Sequence, residues 1–213
     1  MIFSEFSDIV SKIEKKPLPG KASHLKMASA QRAKILEEQS YHEQTAKKAA
    51  VLAAFYPDAQ KQTHLLLIKR QGGAGVHANQ IAFPGGKYEP TDNSLEATAL
   101  REAYEEVGVA AADMRSLRAL SRVYIPPSNF LVQPYMGLYH KQKPFVMESS
   151  EVQAILEIPL GVLLKKELLQ YQKVQVSKFN SLEVPSFVFQ DQVVWGATAM
   201  MLNEIRSLLG EVL

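Results

Sequence analysis

The spacing of apolar and polar residues divides the chain into two parts. Near the N-terminus, apolar residues recur every three or four positions, which is typical of an amphipathic helix: Ile2, Phe6, Ile9, Val10 and Ile13. The Pro- and Gly-containing run at 16–20 ends this helix, and a more polar helical stretch follows at about 29–39. We therefore predict a helical extension over residues 1–45 and one domain over residues 46–213. The extension has no clustered reactive groups, so we expect it to pack on the domain or on a second copy in a homodimer.

Beyond residue 46 the pattern changes to short apolar runs that predict strands: 49–56, 64–68, 81–83 and, less sharply bounded, 117–125, 130–140, 173–179 and 184–190. Helices are predicted at 94–107, from about Pro159, and at 196–209. Pro84, Gly85 and Gly86 predict a turn. Strands and helices are mixed without a strict βαβ rhythm, which favours an α+β layered sandwich over a doubly wound parallel sheet.

The helix predicted at 94–107 has two chemically different faces. Asn93 and Glu96 form a plausible N-terminal capping pair, and Gly108 suits the helix end. At about 100° per residue, one side carries Leu100, Ala103 and Val107. The other side carries three carboxylates: Glu102, Glu105 and Glu106. Arg101 can reach Glu105 one turn further on.

Three carboxylates this close repel one another, at a cost of a few tenths of a kcal/mol for each pair on an exposed helix. A hard divalent cation such as Mg²⁺ reverses this effect, because it prefers several oxygen ligands. The alternative is a solvated acidic face with one ordinary salt bridge. The glycines before the helix, Gly85 and Gly86, favour the metal site, because they allow close approach of a bulky ligand.

These residues resemble the Nudix box. Between Gly86 and Val109 the second half of the box is matched in full, by Arg101, Glu102, Ala103, Glu105, Glu106, Gly108 and Val109. Asp92 stands where the box has Glu, and one extra residue separates it from Arg101. The resemblance implies an α/β/α sandwich around a mixed β-sheet and hydrolysis of a nucleoside diphosphate linked to another group. It also implies that Glu102, Glu105 and Glu106 bind Mg²⁺ or Mn²⁺ and that Arg101 orients Glu105.

The segment before the box is similar to the upstream signature of the coenzyme A pyrophosphatases. The spacing agrees throughout, and Lys69, Arg70 and residues 83–86 match. Three positions differ: Gln71, Gly75 and Asn79. The resemblance implies cleavage of coenzyme A to 3′,5′-ADP and 4′-phosphopantetheine, with Lys69, Arg70, Gly85 and Gly86 contacting the substrate. A different dinucleotide or nucleotide-sugar pyrophosphate, or a ligand sensor without turnover, remains as an alternative.

Several other residues allow both a functional and a structural interpretation. Glu151 lies where some Nudix enzymes keep a late carboxylate that acts as base or ligand, although charged loops are usually only solvated. His77 is expected to be a loop residue rather than a base, and Trp195 to be core packing. The aromatic, Pro-containing segment 124–130 could stack on adenine or simply connect two strands.

Composition narrows the choice of partners and compartment. The chain of 213 residues has a net charge of +2, which gives no electrostatic case for nucleic acid as a partner. It has no cysteine, which excludes disulfides and thiolate chemistry. No basic segment followed by an apolar run marks a signal peptide, and no apolar stretch is long enough for a bilayer. We expect a cytoplasmic enzyme that acts on a small nucleotide away from membranes.

Overall fold

A mixed sheet of eight strands lies at the centre of the computed structural model, which describes residues 1–37, 44–73, 77–141, 143–175 and 180–213. The helices are α1 Phe3–Val10, α2 Gly20–Leu25, α3 Ala30–Glu37, α4 Leu95–Val107, α5 Leu160–Leu163 and α6 Gly196–Leu209. The strands are β1 Lys47–Pro57, β2 Thr63–Arg70, β3 Ile81–Ala82, β4 Gly85–Lys87, β5 Met114–Ala119, β6 Val123–Ile125, β7 Phe130–Tyr139, β8 Val152–Pro159, β9 Leu169–Gln175, β10 Ser181–Phe189 and β11 Gln192–Val194.

The central sheet has the strand order β3-β2-β1-β7-β5, with β4 on β1, β6 on β7 and β8 on β2. Strands β1 and β7 run parallel, and the other pairs are antiparallel. Strands β9, β10 and β11 form a separate antiparallel sheet. No helix within the described ranges is long and apolar enough to cross a membrane.

One edge of β1 is shared by two different strands. Its end at Phe55–Pro57 pairs with the start of β2, whereas Ala49–Val51 pairs with β4. Between the two pairings, the Leu52 N–H donates to the Pro84 carbonyl at 2.8 Å. Strands β1 and β2 therefore diverge, and the turn before β4 occupies the fork between them.

Each face of the sheet is covered by helices, because successive strand side chains point to opposite sides. Leu66 and Ile68 of β2 pack with Ala99 and Ala103 of α4. On the other face, alternate residues of β2 belong to the cluster that includes α6 and the N-terminal helices. The predicted mixed-sheet α/β/α sandwich is confirmed.

The N-terminal extension shares the core of the domain. Phe6, Val10 and Ile13 are fully buried in the cluster that contains α6. Arg118 donates to the carbonyls of Ile13 and Lys16 at 2.8 and 2.6 Å. The division at residue 45 stays a prediction, but in this structure the two segments have one continuous apolar interior.

A buried carboxylate on α6 joins the extension to the domain. Glu204 is fully buried and accepts hydrogen bonds from the Gly20 N–H at 3.0 Å and from the Ser121 N–H and hydroxyl at 3.1 and 2.6 Å. His24 Nε2 lies 3.2 Å from the same carboxylate. Burial raises the pKa of Glu204, but the bonds from His24 and Ser121 outweigh it and hold that pKa below its usual value.

The structure corrects several details of the prediction. The α4 N-cap is Ser94, whose hydroxyl accepts the Ala97 N–H at 3.0 Å, and not Asn93. Glu96 bonds to Ser116 instead of completing a capping box. The predicted turn at residues 84–86 runs directly into strand β4, because Gly85 and Gly86 pair with β1. Helix α2 and strands β8 and β11 were not predicted, and residues 38–39 and 176–179 lie outside the described ranges.

Candidate active site

Glu106 is the buried centre of the acidic face of α4. Its side chain is 1% exposed, and it accepts the Gly85 N–H at 2.8 Å and Arg70 Nη1 at 3.2 Å. Burial raises the pKa of Glu106 to about 7, although the Gly85 and Arg70 contacts oppose this. The negative charges of Glu102 and Glu151 raise the pKa further. A carboxylate held in this way gains from any additional nearby cation.

Two glycines bring β4 against the acidic helix: a side chain at Gly85 would collide with the backbone of β1, and one at Gly86 would displace the Glu102 carboxylate. A Cβ on Gly85, whose φ is +149°, would lie 2.3 Å from the Ala50 carbonyl oxygen. A Cβ on Gly86 would lie 2.3 Å from Glu102 Oε2. The predicted substrate contacts at Gly85 and Gly86 stay predictions, and here the Gly85 amide binds Glu106 instead.

Arg101 connects the remaining acidic residues. Its Nη1 donates to both Glu102 and Glu105 at 3.0 Å, so the predicted contact between Arg101 and Glu105 is present. Its Nε and Nη2 form a two-pronged pair with Asp92 at 2.9 and 3.0 Å. Asp92 also accepts the hydroxyl of Thr98 at 2.8 Å, and its pairing with Arg101 holds its pKa well below the usual range.

The three predicted ligands differ widely in exposure. The side chain of Glu102 is 14% exposed and that of Glu105 is 53% exposed, whereas Glu106 is buried. Burial raises the pKa of Glu102, the bonds from Arg101 lower it, and the charges of Glu105 and Glu151 add to the net increase. The solvent exposure of the acidic face of α4 therefore increases from Glu106 through Glu102 to Glu105.

Glu151 lies on an exposed loop that is hydrogen-bonded to this region. The Glu148 N–H donates to the Glu106 carbonyl at 2.9 Å, and the Gln71 N–H donates to the Glu151 carbonyl at 2.7 Å. The charge of Glu151 acts on both Glu102 and Glu106. The structure thus brings the late carboxylate into the electrostatic field of the acidic helix.

Lys69 and Arg70 face opposite sides of the sheet, because they are consecutive residues of β2. Arg70 points to α4 and also donates to the Gly85 carbonyl at 3.4 Å. Lys69 lines a cavity on the other side, together with Trp195. The two cations were predicted to contact the same substrate, and they can do so only if that substrate passes the end of the strand.

The remaining predicted residues lie mainly in connections. His77 is a loop residue, as expected, with its ring nitrogens 3.1 Å from Gln80 Oε1 and 2.9 Å from Ser128 Oγ. Segment 124–130 connects β6 to β7. Trp195 is only partly buried, because it precedes α6 at the rim of the cavity instead of packing in the core. Gly75, one of the positions that differ from the coenzyme A signature, lies outside the described residues.

The acidic residues have the oxygen atoms that a divalent cation prefers, but their side chains are not gathered around one point. Among the described residues, no group of three His, Asp or Glu side chains is close enough to hold a metal ion, because Arg101 and Arg70 pair with the carboxylates. Carboxylate oxygens are nevertheless the ligands that Mg²⁺ and Mn²⁺ prefer. Burial, with a smaller effect of neighbouring carboxylates, raises the pKa values of Glu102 and Glu106, and a nearby cation would stabilise their charged forms.

Sequence reasoning gave Asp92 no role beyond its place in the box. A carboxylate nine residues before an arginine gives no periodic signal, because the intervening loop decides whether the two meet. The burial of Glu106 had a local signal: Ala99 lies seven residues earlier, and a seven-residue spacing returns to the same helical face. Both Ala99 and Glu106 are buried.

Comparisons with known proteins agree with this geometry. The family described as the NUDIX domain matches residues 46–180. The chain is 32% identical over 180 residues to the uncharacterized Nudix hydrolase NudL of Yersinia pestis (strain Pestoides F), covering 80% of this chain and 84% of that protein.

Solved structures show the same fold. The Nudix hydrolase RenU of M. smegmatis has a TM-score of 0.54 at 14% identity, covering 79% of this chain and 88% of that one. A MutT/nudix family protein of Enterococcus faecalis has a TM-score of 0.51 at 16% identity, covering 89% of this chain and 73% of that one.

Proposed function

The chain belongs to the Nudix family of hydrolases, and on this premise we propose that it cleaves the pyrophosphate of coenzyme A or its derivatives. Nudix hydrolases act on nucleoside diphosphate derivatives and generally use divalent cations. The proposed products are 3′,5′-ADP and 4′-phosphopantetheine. The alternative is another dinucleotide or nucleotide-sugar pyrophosphate, which the departures at Gln71, Gly75 and Asn79 keep open.

One observation carries the proposal. Arg70 and Gly85 belong to the upstream signature shared with the coenzyme A pyrophosphatases, and both bind Glu106 of the Nudix box. These contacts support a single site formed by the upstream segment and the acidic helix. If Arg70 and Gly85 only marked the end of β2 and the start of β4, they would have no reason to contact Glu106.

The reaction joins water to one phosphorus atom while the bridging P–O bond breaks, giving two phosphate monoesters. When bound to Glu102, Glu105 and Glu106, Mg²⁺ or Mn²⁺ would neutralise phosphoryl oxygens and activate water. Arg101 would orient Glu102 and Glu105 while Asp92 fixes its guanidinium plane. Among the described residues only Nη1 of the Arg70 guanidinium is hydrogen-bonded, so its other two nitrogens would make a two-pronged contact with phosphate. Glu151 is exposed, and its charge acts on Glu102 and Glu106 of the helix. It would accept the proton of the attacking water.

The test is hydrolysis of coenzyme A, ADP-ribose and a dinucleoside polyphosphate by the purified protein with Mg²⁺ or Mn²⁺, with products separated by chromatography. We expect coenzyme A to give the two named monophosphates with the highest kcat/KM. The Glu105→Gln variant should lose activity by orders of magnitude. Glu96→Gln on the same helix should retain it, because Glu96 contacts Ser116 away from the acidic group.

Two results would contradict the proposal in different ways. Cleavage of ADP-ribose with coenzyme A untouched would refute the substrate and keep the reaction. Equal activity of the Glu105→Gln and Glu96→Gln variants would refute the assignment of the acidic face. A sensor without turnover is already disfavoured by the family assignment, and it would show no product with any of the three substrates.

A further inference from the structure

We propose that the cavity beside Lys69 and Trp195 is a subsite for the nucleobase of the substrate and for a phosphate attached to that nucleoside. This rests on the proposed function, since it names the part of the substrate that the acidic site does not hold. The cavity has a volume of about 420 Å³ and lies where β2 and β3 of the central sheet meet β9 and β11 of the small sheet. That volume is within the roughly 300–1,000 Å³ of small-molecule sites.

The lining suits a flat heteroaromatic ring. The part-exposed indole of Trp195 forms one wall, and the buried side chains of Ile81 and Val174 give an apolar floor. The carboxamides of Asn79 and Gln192 also line the cavity, and a carboxamide both donates and accepts hydrogen bonds, as the edge of a base requires. A base of any identity can stack on such an aromatic side chain, because every base has a π-face.

Lys69 supplies the positive charge that a phosphate requires. Its side chain is half-buried at the cavity wall, and its ammonium group forms no ion pair or hydrogen bond with any other residue that the structure describes. A lysine in this environment gains by pairing with an anion. The chemistry of the cavity therefore combines an aromatic face, hydrogen-bonding amides and one cation.

The position of the cavity fits a substrate that spans both sites. Lys69 and Arg70 are consecutive, so their Cα atoms are about 3.8 Å apart, yet their side chains lead to opposite faces of the sheet. A nucleotide passing the end of β2 would place its pyrophosphate near Arg70 and its base near Trp195. The width of the sheet at the end of β2 would then set the distance between the scissile linkage and the base.

The start of α6 supports a role for Trp195 outside folding. Trp195 occupies the N-cap and makes no side-chain capping hydrogen bond. Ser, Thr, Asp or Asn at this position would stabilise the helix, because its side chain would accept a hydrogen bond from the first turn. The tryptophan thus fills a position where a small polar residue would serve stability better.

The test uses the fact that Trp195 is the only tryptophan of the chain. Its fluorescence is titrated in the full-length protein, without metal, with adenosine 3′-monophosphate, adenosine or inorganic phosphate. We expect saturable quenching by the monophosphate, weaker binding of adenosine, and no quenching by phosphate alone. Lys69→Gln should weaken the monophosphate about tenfold and leave adenosine unchanged. Lys12→Gln, which removes an exposed lysine of the extension, should change neither.

A second measurement separates this proposal from the proposed function. The monophosphate should inhibit hydrolysis competitively, and Lys69→Gln should raise KM with little change in kcat. Saturable quenching in a protein that cleaves none of the tested pyrophosphates would support the subsite and refute only the hydrolytic proposal. An active enzyme whose fluorescence does not respond, or whose KM is unchanged by Lys69→Gln, would overturn the subsite.

Discussion

Replacing Glu204 by alanine should lower the unfolding free energy by about 4 kcal/mol, since this carboxylate joins the N-terminal extension to the domain. Its removal takes the acceptor from the half-buried backbone N–H groups of Gly20 and Ser121. His24, itself 2% exposed, loses its partner as well. A donor that loses its acceptor costs about 1–3 kcal/mol, so His24 and the two backbone N–H groups together account for about 4 kcal/mol.

The assay is chemical and thermal unfolding of the full chain. A loss of about 4 kcal/mol corresponds to a fall in Tm of roughly 10 °C for a domain of this size. Glu204→Gln should cost about half as much, because its oxygen can still accept from Gly20. Limited proteolysis should also cut the extension of Glu204→Ala sooner than that of the wild type.

A matched control lies seven residues further along the chain. Glu211 also contacts the extension, through Lys16 at 3.5 Å, but the two side chains are 43% and 40% exposed. Exposed ion pairs contribute roughly 0–1 kcal/mol, so Glu211→Ala should unfold almost as the wild type does. If the Glu204 and Glu211 variants lose equal stability, the reasoning from burial and hydrogen bonding is refuted.

Three further predictions concern pH and the acidic site. A carboxyl whose pKa rises from 4.5 to about 7 on folding, as in Glu106, destabilises the ionised native state by about 3 kcal/mol. Metal-free wild type should therefore lose that stability as pH rises from 4.5 through 7, and Glu106→Gln should not, as denaturant titrations across this range would show. Asp92→Asn should lower kcat at least about tenfold and weaken Mn²⁺ binding, because the guanidinium it holds loses its ion pair; unchanged Mn²⁺ affinity would count against this. Gly86→Ala, whose Cβ would lie 2.3 Å from Glu102 Oε2, should reduce hydrolysis sharply, whereas Gly161→Ala, with open space around it, should match the wild type.

Much of the fold was predictable because its signals are local. The periodic apolar residues before Lys16 predicted α1, and the acidic and apolar sides of 94–107 predicted α4. Strand β8 was missed, although its sequence Val152–Pro159 is rich in apolar residues. A short apolar run flanked by charges does not distinguish strand from helix, and its pairing with β2 is decided by residues more than 80 positions away.

The contacts of the proposed site residues could not be predicted from the sequence. The resemblance identified Glu106, but its partners Arg70 and Gly85 lie 36 and 21 residues earlier. Only the closed sheet brings them together. The orientation of Lys69 and Arg70, by contrast, could be predicted from the sequence. Successive side chains of a strand point to opposite faces of the sheet, so these two cations had to face different sides.

The contact between Gly85 and Glu106 depends on the incomplete pairing of β1 with β2. Strand β2 pairs with β1 only at Phe55–Pro57, and β4 uses the same edge at Ala49–Val51. If the β1–β2 hairpin closed over its full length, β4 would lose its place and the Gly85 amide would leave Glu106. That alternative would form backbone hydrogen bonds that are more local in sequence, and it would lack the Gly85–Glu106 contact of the proposed catalytic centre. Folding to the active state therefore requires a hairpin that stops early, so that a distant segment can complete the edge.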